Sequence, residues 1–343
     1  MDLDGLLAEL ASGRTAALAR AISQVENARP GFERLLAAVH PRLGHARRVG
    51  ITGPPGAGKS TLTQQLVQRW RSGELTVAVV AVDPTSPASG GALLGDRIRM
   101  EAVALDQGVY IRSMATRGSL GGLATSTREV CDVLDAFGFD RILIETVGVG
   151  QSELAVTSMA DSTVLVLVPE SGDGIQALKS GVMELADVFC VNKADRPGAA
   201  NLAREIEITQ GIRHGNAFRG MRAHHGRTAG RPESGAEAVR PTWDAPVILT
   251  TATTGAGIPE LADALERHHA WMETHGELAA RRRRRFAART REVVDRTLHG
   301  WVWKETRAEE LLQERIDEVA EGRLSPYELA GEIVSGLKEG ARV

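Results

Sequence analysis

Leu3, Leu6, Leu7 and Leu10 recur at helical spacing, and Leu18, Ile22 and Val25 repeat the pattern at i, i+4 and i+7. Both stretches predict short amphipathic helices, an N-terminal helical extension over 1–45. From Arg47 to Thr251 the pattern changes to apolar runs separated by helical text: VGIT (49–52), LTVAVVAV (75–82), VYIRS (109–113), RILIET (141–146), TVLVLVP (163–169), DVFCVN (187–192) and VILTT (247–251). The runs are continuous rather than strictly alternating, which predicts strands covered on both faces by crossover helices. The fold class expected is therefore α/β, with a doubly wound, mainly parallel sheet spanning 46–270. Within it, Gly211 to Trp243 turns to Gly, Arg, His and Pro without apolar period and reads as a mobile surface insertion, 211–243. After Gly257 the text is largely helical, with Leu312, Ile316 and Val319 on one face, and 271–343 reads as a separate helical region. Ser325-Pro326-Tyr327-Glu328 combines an N-cap, Pro at the first helical position and Glu three residues after the cap, and predicts a last helix through Leu329, Ile333 and Leu337.

Composition narrows the picture. The 343 residues suffice for one large α/β domain with helical additions. With 43% hydrophobic and 25% charged residues, the chain is neither disordered nor membrane-like. A net charge of −3 means that any anion site must come from local placement, which argues against a general nucleic-acid binder. The arginine run 281–285 reads accordingly as a solvated helix face, and Trp301 and Trp303 as core or oligomer contacts. The opening MDLDGLLAEL lacks the basic and apolar regions of a signal peptide, and no later apolar run reaches about 18 residues, so no membrane association is expected and the location expected is cytoplasmic. Cys131 and Cys190 sit far apart among apolar residues and suit buried thiols in a reducing compartment. His214, His224 and His225 have no carboxylate or cysteine at ligand spacing and read as part of a solvated loop.

The chemistry concentrates in one motif. Gly53-Pro54-Pro55-Gly56-Ala57-Gly58-Lys59-Ser60, followed by Thr61, fits G-x-x-x-x-G-K-[ST] between the strand VGIT and the helix TLTQQLVQRW. Glycines there let successive N–H groups converge on phosphate oxygens, and the helix N-terminus adds a favourable dipole. Lys59 should reach the β- and γ-phosphates and the Ser60 hydroxyl should ligate Mg²⁺. Asn192-Lys193-Ala194-Asp195 follows the strand DVFCV. A carboxylate at Asp195 can accept from both guanine N1–H and the 2-amino group, neither of which adenine offers. GTP or GDP is thus the expected ligand, with no tightly bound organic cofactor. Glu145, ending RILIE, is placed as the acidic residue near Mg²⁺, and Gly148 three residues on can offer its N–H to a γ-phosphate. Gln151 is a candidate water-positioning group. Asp83 and Asp96, both after strand 75–82, are candidates to hold the metal or its waters, and Asp83 ends its strand on the side where open α/β sheets bind ligands.

Together GPPGAGKST (53–61), VDPTSPASGGALLGDRIRM (82–100), GSLGGLA (118–124), ETVGVGQSE (145–153), PESGDGIQALKSGVMELAD (169–187) and VNKAD (191–195) resemble, over essentially the whole chain, the P-loop GTPases of the MeaB/MMAA (ArgK) type. The resemblance implies a P-loop NTPase fold and a slow, Mg²⁺-dependent GTPase that docks on an adenosylcobalamin-dependent acyl-CoA mutase and gates cofactor delivery and reactivation. Its adenosyltransferase is a further implied partner. It implies that Lys59, Asp83, Asp96 and Glu145 take nucleotide and metal positions, and that Pro169 to Lys179 is an additional switch loop, with Gln176 and Lys179 as candidates for partner-dependent activation. It further places Thr251, Ala252 and Thr253 against the guanine base, although their letters deviate, and makes the C-terminal helices a dimerisation arm of a homodimer. The insertion at 211–243 is longer and richer in Gly, Arg and His than the family pattern and leaves open which mutase is served. The alternative is a nickel-insertion GTPase for a metalloenzyme such as hydrogenase or urease. A kinase is disfavoured because NKAD demands guanine and no H-R-D-type base is visible.

Overall fold

The computed structural model describes residues 3–83, 100–115, 120–146, 152–169, 181–213 and 242–340. Seven parallel strands, β1 (Arg47–Thr52), β2 (Val77–Asp83), β3 (Val109–Ala115), β4 (Arg141–Thr146), β5 (Ser162–Leu167), β6 (Val188–Val191) and β7 (Val247–Leu249), form one sheet in the order β3-β2-β4-β1-β5-β6-β7. In register, Glu145 of β4 lies beside Ile51 of β1 and Ala81 of β2, and Leu165 of β5 lies beside Thr52. All strands point the same way, so everything that follows a strand emerges at one sheet edge.

The continuous apolar runs are explained by what each face meets. Ala78, Val80, Val82, Ile142 and Ile144 pack into one core with helices α1 (Leu3–Ala11), α2 (Thr15–Glu26), α3 (Phe32–Val39) and α5 (Leu120–Phe137). Their neighbours Val77, Val79 and Leu143, with Val49, Ile51, Val164 and Val166, pack into a second core with α4 (Lys59–Arg71) and α8 (Ile258–Thr274). Leu165, Leu167, Phe189 and Val191 meet α7 (Ala199–Arg213) in a third. Alternate residues of one strand thus bury on opposite faces, each large aliphatic side chain contributing about 1.5–3 kcal/mol. The remaining helix of this layer, α6 (Ser152–Met159), contributes Val156 and Met159 to the first core.

One difference is α3, a third N-terminal helix whose Phe32, Leu35, Leu36 and Val39 repeat the i, i+3, i+4, i+7 spacing of α1. Another difference lies at α7, which continues to Arg213, three residues into the stretch read as insertion, with Ile208 and Ile212 one turn apart and exposed. The histidines of that stretch, His214, His224 and His225, lie outside the described residues.

The chain divides into two compact units, Met1–Ala279 and Ala280–Val343. The second holds most of α9 (Glu277–Glu305), with α10 (Ala308–Ala320) and α11 (Pro326–Gly340), around Ala308, Leu329 and Ile333, against which Trp303 packs. The capping box forms as read: Glu328 N–H donates to Ser325 Oγ at 3.2 Å and Ser325 N–H to Glu328 Oε2 at 2.8 Å. Among the described residues, no helix is long and apolar enough to cross a membrane, and Cys131 and Cys190 are buried free thiols.

Candidate functional site

The loop between β1 and α4 is built by backbone constraints that its letters encode. Gly53 has φ 138°, and a Cβ there would sit 2.1 Å from the Val166 carbonyl oxygen of β5. Gly58 has φ 87°, and a Cβ there would sit 2.5 Å from Asn192 Nδ2. Only glycine tolerates both the conformation and the approach. Gly58 is also the N-cap of α4 and supplies no side-chain cap to this thirteen-residue helix, as suits an anion site.

Lys59 is buried, and its Nζ donates to the carbonyl oxygens of Gly53 at 2.8 Å and Pro54 at 3.0 Å, so the side chain arches back over the loop. Next to it Ser60 Oγ donates to Glu145 Oε1 at 2.6 Å, and Thr63, one turn further along α4, donates to Glu145 Oε2 at 2.8 Å. Glu145 is 6% exposed. A hydroxyl and a carboxylate, both hard oxygen donors, thus meet beside the helix N-terminus. This suits Mg²⁺, which is commonly held by one or two protein oxygens and completed by phosphates and water. Among the described residues no group of three or more His, Cys, Asp or Glu could hold a metal ion by itself.

Two strand spacings of about 4.8 Å separate β1 from β6, so the segment after β6 lies roughly 10 Å across the same edge from the phosphate loop. The two are tied directly. Asn192 Nδ2 donates to the Ala57 carbonyl at 2.8 Å, and Asn192 Oδ1 accepts from Thr250 Oγ1 and from Ala252 N–H, both at 3.1 Å. The Asn192 amide thus joins the segment after β6 to the phosphate loop and to the segment after β7. Behind it Cys190 Sγ and Thr250 Oγ1 lie 3.1 Å apart. Burial pushes the Cys190 thiol up to about 12. Lys193 takes a left-handed φ of 56°, and Ala194 N–H bonds the Thr250 carbonyl at 2.9 Å, which turns the chain so that Asp195 is exposed at the edge. Thr251 pairs with Ala256, and its carbonyl accepts the N–H groups of Thr254 and Gly255 at 3.0 Å, a tight loop that buries Ala252 and exposes Thr253.

The structure therefore brings Gly53 to Thr61, Glu145, Asn192 to Asp195 and Thr251 to Thr253 to one edge. Asp83 ends β2 at that same edge, two strands from β1 on the other side. Asp96, Gly148, Gln151, Gln176 and Lys179 lie outside the described residues. Sequence reading missed Thr63 and Thr250. Thr63 follows Ser60 by three residues and shares its helix face, a periodicity that was available, whereas the Thr250 contact spans 58 residues with no local signal.

Comparison with known proteins agrees with this geometry. The family model for the methylmalonyl-CoA mutase-associated GTPase MeaB matches residues 18–307. A provisionally named GTPase of Pyrococcus abyssi is 41% identical over 341 residues, 98% of this chain and 97% of that protein. The methylmalonic aciduria type A homolog of Mus musculus is 34% identical over 98% of this chain and 80% of its own length. Among solved structures, that of an LAO/AO transport system kinase superposes with a TM-score of 0.65 at 25% identity, covering 98% of this chain and 97% of that one. With a phosphate loop, a carboxylate-hydroxyl pair and a guanine-type loop on one sheet edge, the chain is a P-loop GTPase and belongs to the MeaB family.

Proposed function

We propose that this GTPase is a chaperone that docks on an adenosylcobalamin-dependent acyl-CoA mutase, methylmalonyl-CoA mutase or a close relative, and couples GTP turnover to delivery and protection of the mutase cofactor. The observation that carries the nucleotide half is the Lys59, Ser60 and Glu145 cluster tied through Asn192 to the base-recognition loops. The family name carries the mutase half.

In this reading the N–H groups at the start of α4 and the Lys59 ammonium hold the β- and γ-phosphates, and Asp195 recognises guanine. Ser60 would hold Mg²⁺ directly, with Glu145, and Asp83 or Asp96, positioned for the metal or its waters. Bound there, the ion neutralises charge developing on the phosphate oxygens. Gly148 reads the γ-phosphate, Gln151 orients the attacking water, and Gln176 and Lys179 complete the site when the partner docks. Thr251, Ala252 and Thr253 line the base. Segments completed only by a partner make intrinsic turnover slow and partner-dependent.

The arm over 271–343 serves as a homodimer contact in this reading. Its support is an apolar groove of about 320 Å³ lined by Trp303, Leu312, Ile316, Ile333, Val334 and Leu337, of which Ile316 and Val334 are more than 40% exposed. The adenosyltransferase that supplies the cofactor is a further partner.

The deciding experiment measures GTP hydrolysis by the full chain alone and with purified methylmalonyl-CoA mutase, isobutyryl-CoA mutase and related enzymes. At least one should raise the rate severalfold. No response to any of them, together with capture of a hydrogenase or urease precursor, would replace this reading with nickel insertion.

A further inference from the structure

Thr63 is completely buried, on a helix whose other buried residues include Leu62, Leu66, Val67 and Trp70. A threonine hydroxyl inside a helix ordinarily bonds the carbonyl one turn back. Here it donates instead to Glu145 Oε2 at 2.8 Å, while Ser60 donates to Oε1 at 2.6 Å. The two hydroxyls stand one turn apart on the same face of α4 and clasp the two oxygens of one carboxylate.

These two bonds have different duties once a nucleotide and metal are present. To hold the cation Ser60 would turn an oxygen lone pair to it while its O–H still donates to Glu145 Oε1, so that bond would be part of the ligand's alignment. The Thr63 bond lies one turn further from the helix N-terminus and has no reason to change. We propose that Thr63 is a positioning residue of the metal site: its hydroxyl fixes the rotation of the Glu145 carboxylate, and through it the direction of the Ser60 lone pair. This inference rests on the reading of Ser60 and Glu145 as the metal pair. A valine of the same shape would fill the space and leave Oε2 short of one donor, weakening the hold on the carboxylate and on Ser60 without touching the phosphate loop.

The test follows release of a fluorescent GDP analogue from the full-length protein as Mg²⁺ is titrated, and again in excess EDTA. For Thr63→Val the Mg²⁺ concentration that half-slows release should rise about tenfold, the usual size of an outer-shell effect on metal affinity. GDP affinity in EDTA should stay within about twofold of the parent, and Thr63→Ser should restore the Mg²⁺ response. An unchanged Mg²⁺ midpoint, or equal losses with and without the metal, would overturn the proposal while leaving the nucleotide site standing. A parent protein that binds no guanine nucleotide would overturn both. If the valine variant melts early, Thr63→Ala removes the same hydroxyl without crowding and must give the same shift.

Discussion

Strand β1 carries a buried polar network at each end, and the two are built on opposite plans. At its start Arg48, 3% exposed, donates to Asp132 at 2.8 Å and Asp135 at 3.0 Å; Asp135 also accepts the N–H groups of Gly44 and Ala46, and Asp161 that of Arg48. Cation meets carboxylate directly, and the group clasps the entry to the sheet. At its end Lys59 donates to two backbone carbonyls at similar distances, and Glu145 is held by two hydroxyls. These four contacts are all to neutral dipoles. The first plan yields a closed structural knot; the second, in the proposed reading, keeps a cation and an anion on hand for a triphosphate and its metal.

The strongest way to break the comparison is at Arg48. Arg48→Ala leaves two buried carboxylates without their cation and should cost about 3–5 kcal/mol of stability. Chemical denaturation would read it, with nucleotide affinity of the remaining folded protein unchanged. Lys59→Ala should do the reverse, lowering GTP turnover on the order of 10²- to 10³-fold with a denaturation midpoint close to the parent's. If Lys59→Ala unfolds the protein as Arg48→Ala does, the two ends are not different in kind.

The contrast also marks what could be read before the structure. The strands were legible because both faces are apolar, which makes each a continuous run, as in RILIE and TVLVLV. The phosphate loop was legible because its geometry is dictated by contiguous residues, Gly53 and Gly58 above all. The Arg48 knot was not, since its partners lie 84 and 87 residues away and a lone arginine opening a strand carries no pattern. For the same reason the bonds of Asn192 to Ala57 and Ala252, 135 and 60 residues distant, could not be read from its motif.

A smaller effect separates recognition from scaffolding within the nucleotide end itself. Asp195 is exposed at the edge, whereas Asn192 is buried between loops. Asp195→Asn exchanges an acceptor pair for one acceptor and one donor. It should weaken GTP binding about 10- to 150-fold, the worth of hydrogen bonds to a charged group, and favour xanthine over guanine nucleotides at no cost in stability. Calorimetric titration with GTP, XTP and ATP would check it; undiminished GTP affinity would place base recognition elsewhere.

The smallest effect lies behind Asn192 and tests whether this end is held by neutral groups. Because Thr250 gives its hydroxyl proton to Asn192 Oδ1, Cys190 must offer its S–H to the Thr250 oxygen, which requires a protonated thiol. Burial secures this by pushing the thiol up to about 12 from an ordinary value of 9.0. The raised folded value sets the sign: the unfolded chain releases this proton first, so the stability contribution is complete below pH 9.0 and is lost as pH climbs toward about 12. Cys190→Ala removes that dependence. The stability difference between parent and variant, read from urea unfolding at several values between about pH 7 and pH 10, should be constant at first and then move against the parent by about 1 kcal/mol. A difference that stays flat across that range would mean that the thiol ionises in the folded protein as readily as in the unfolded one, and that burial does not hold it protonated.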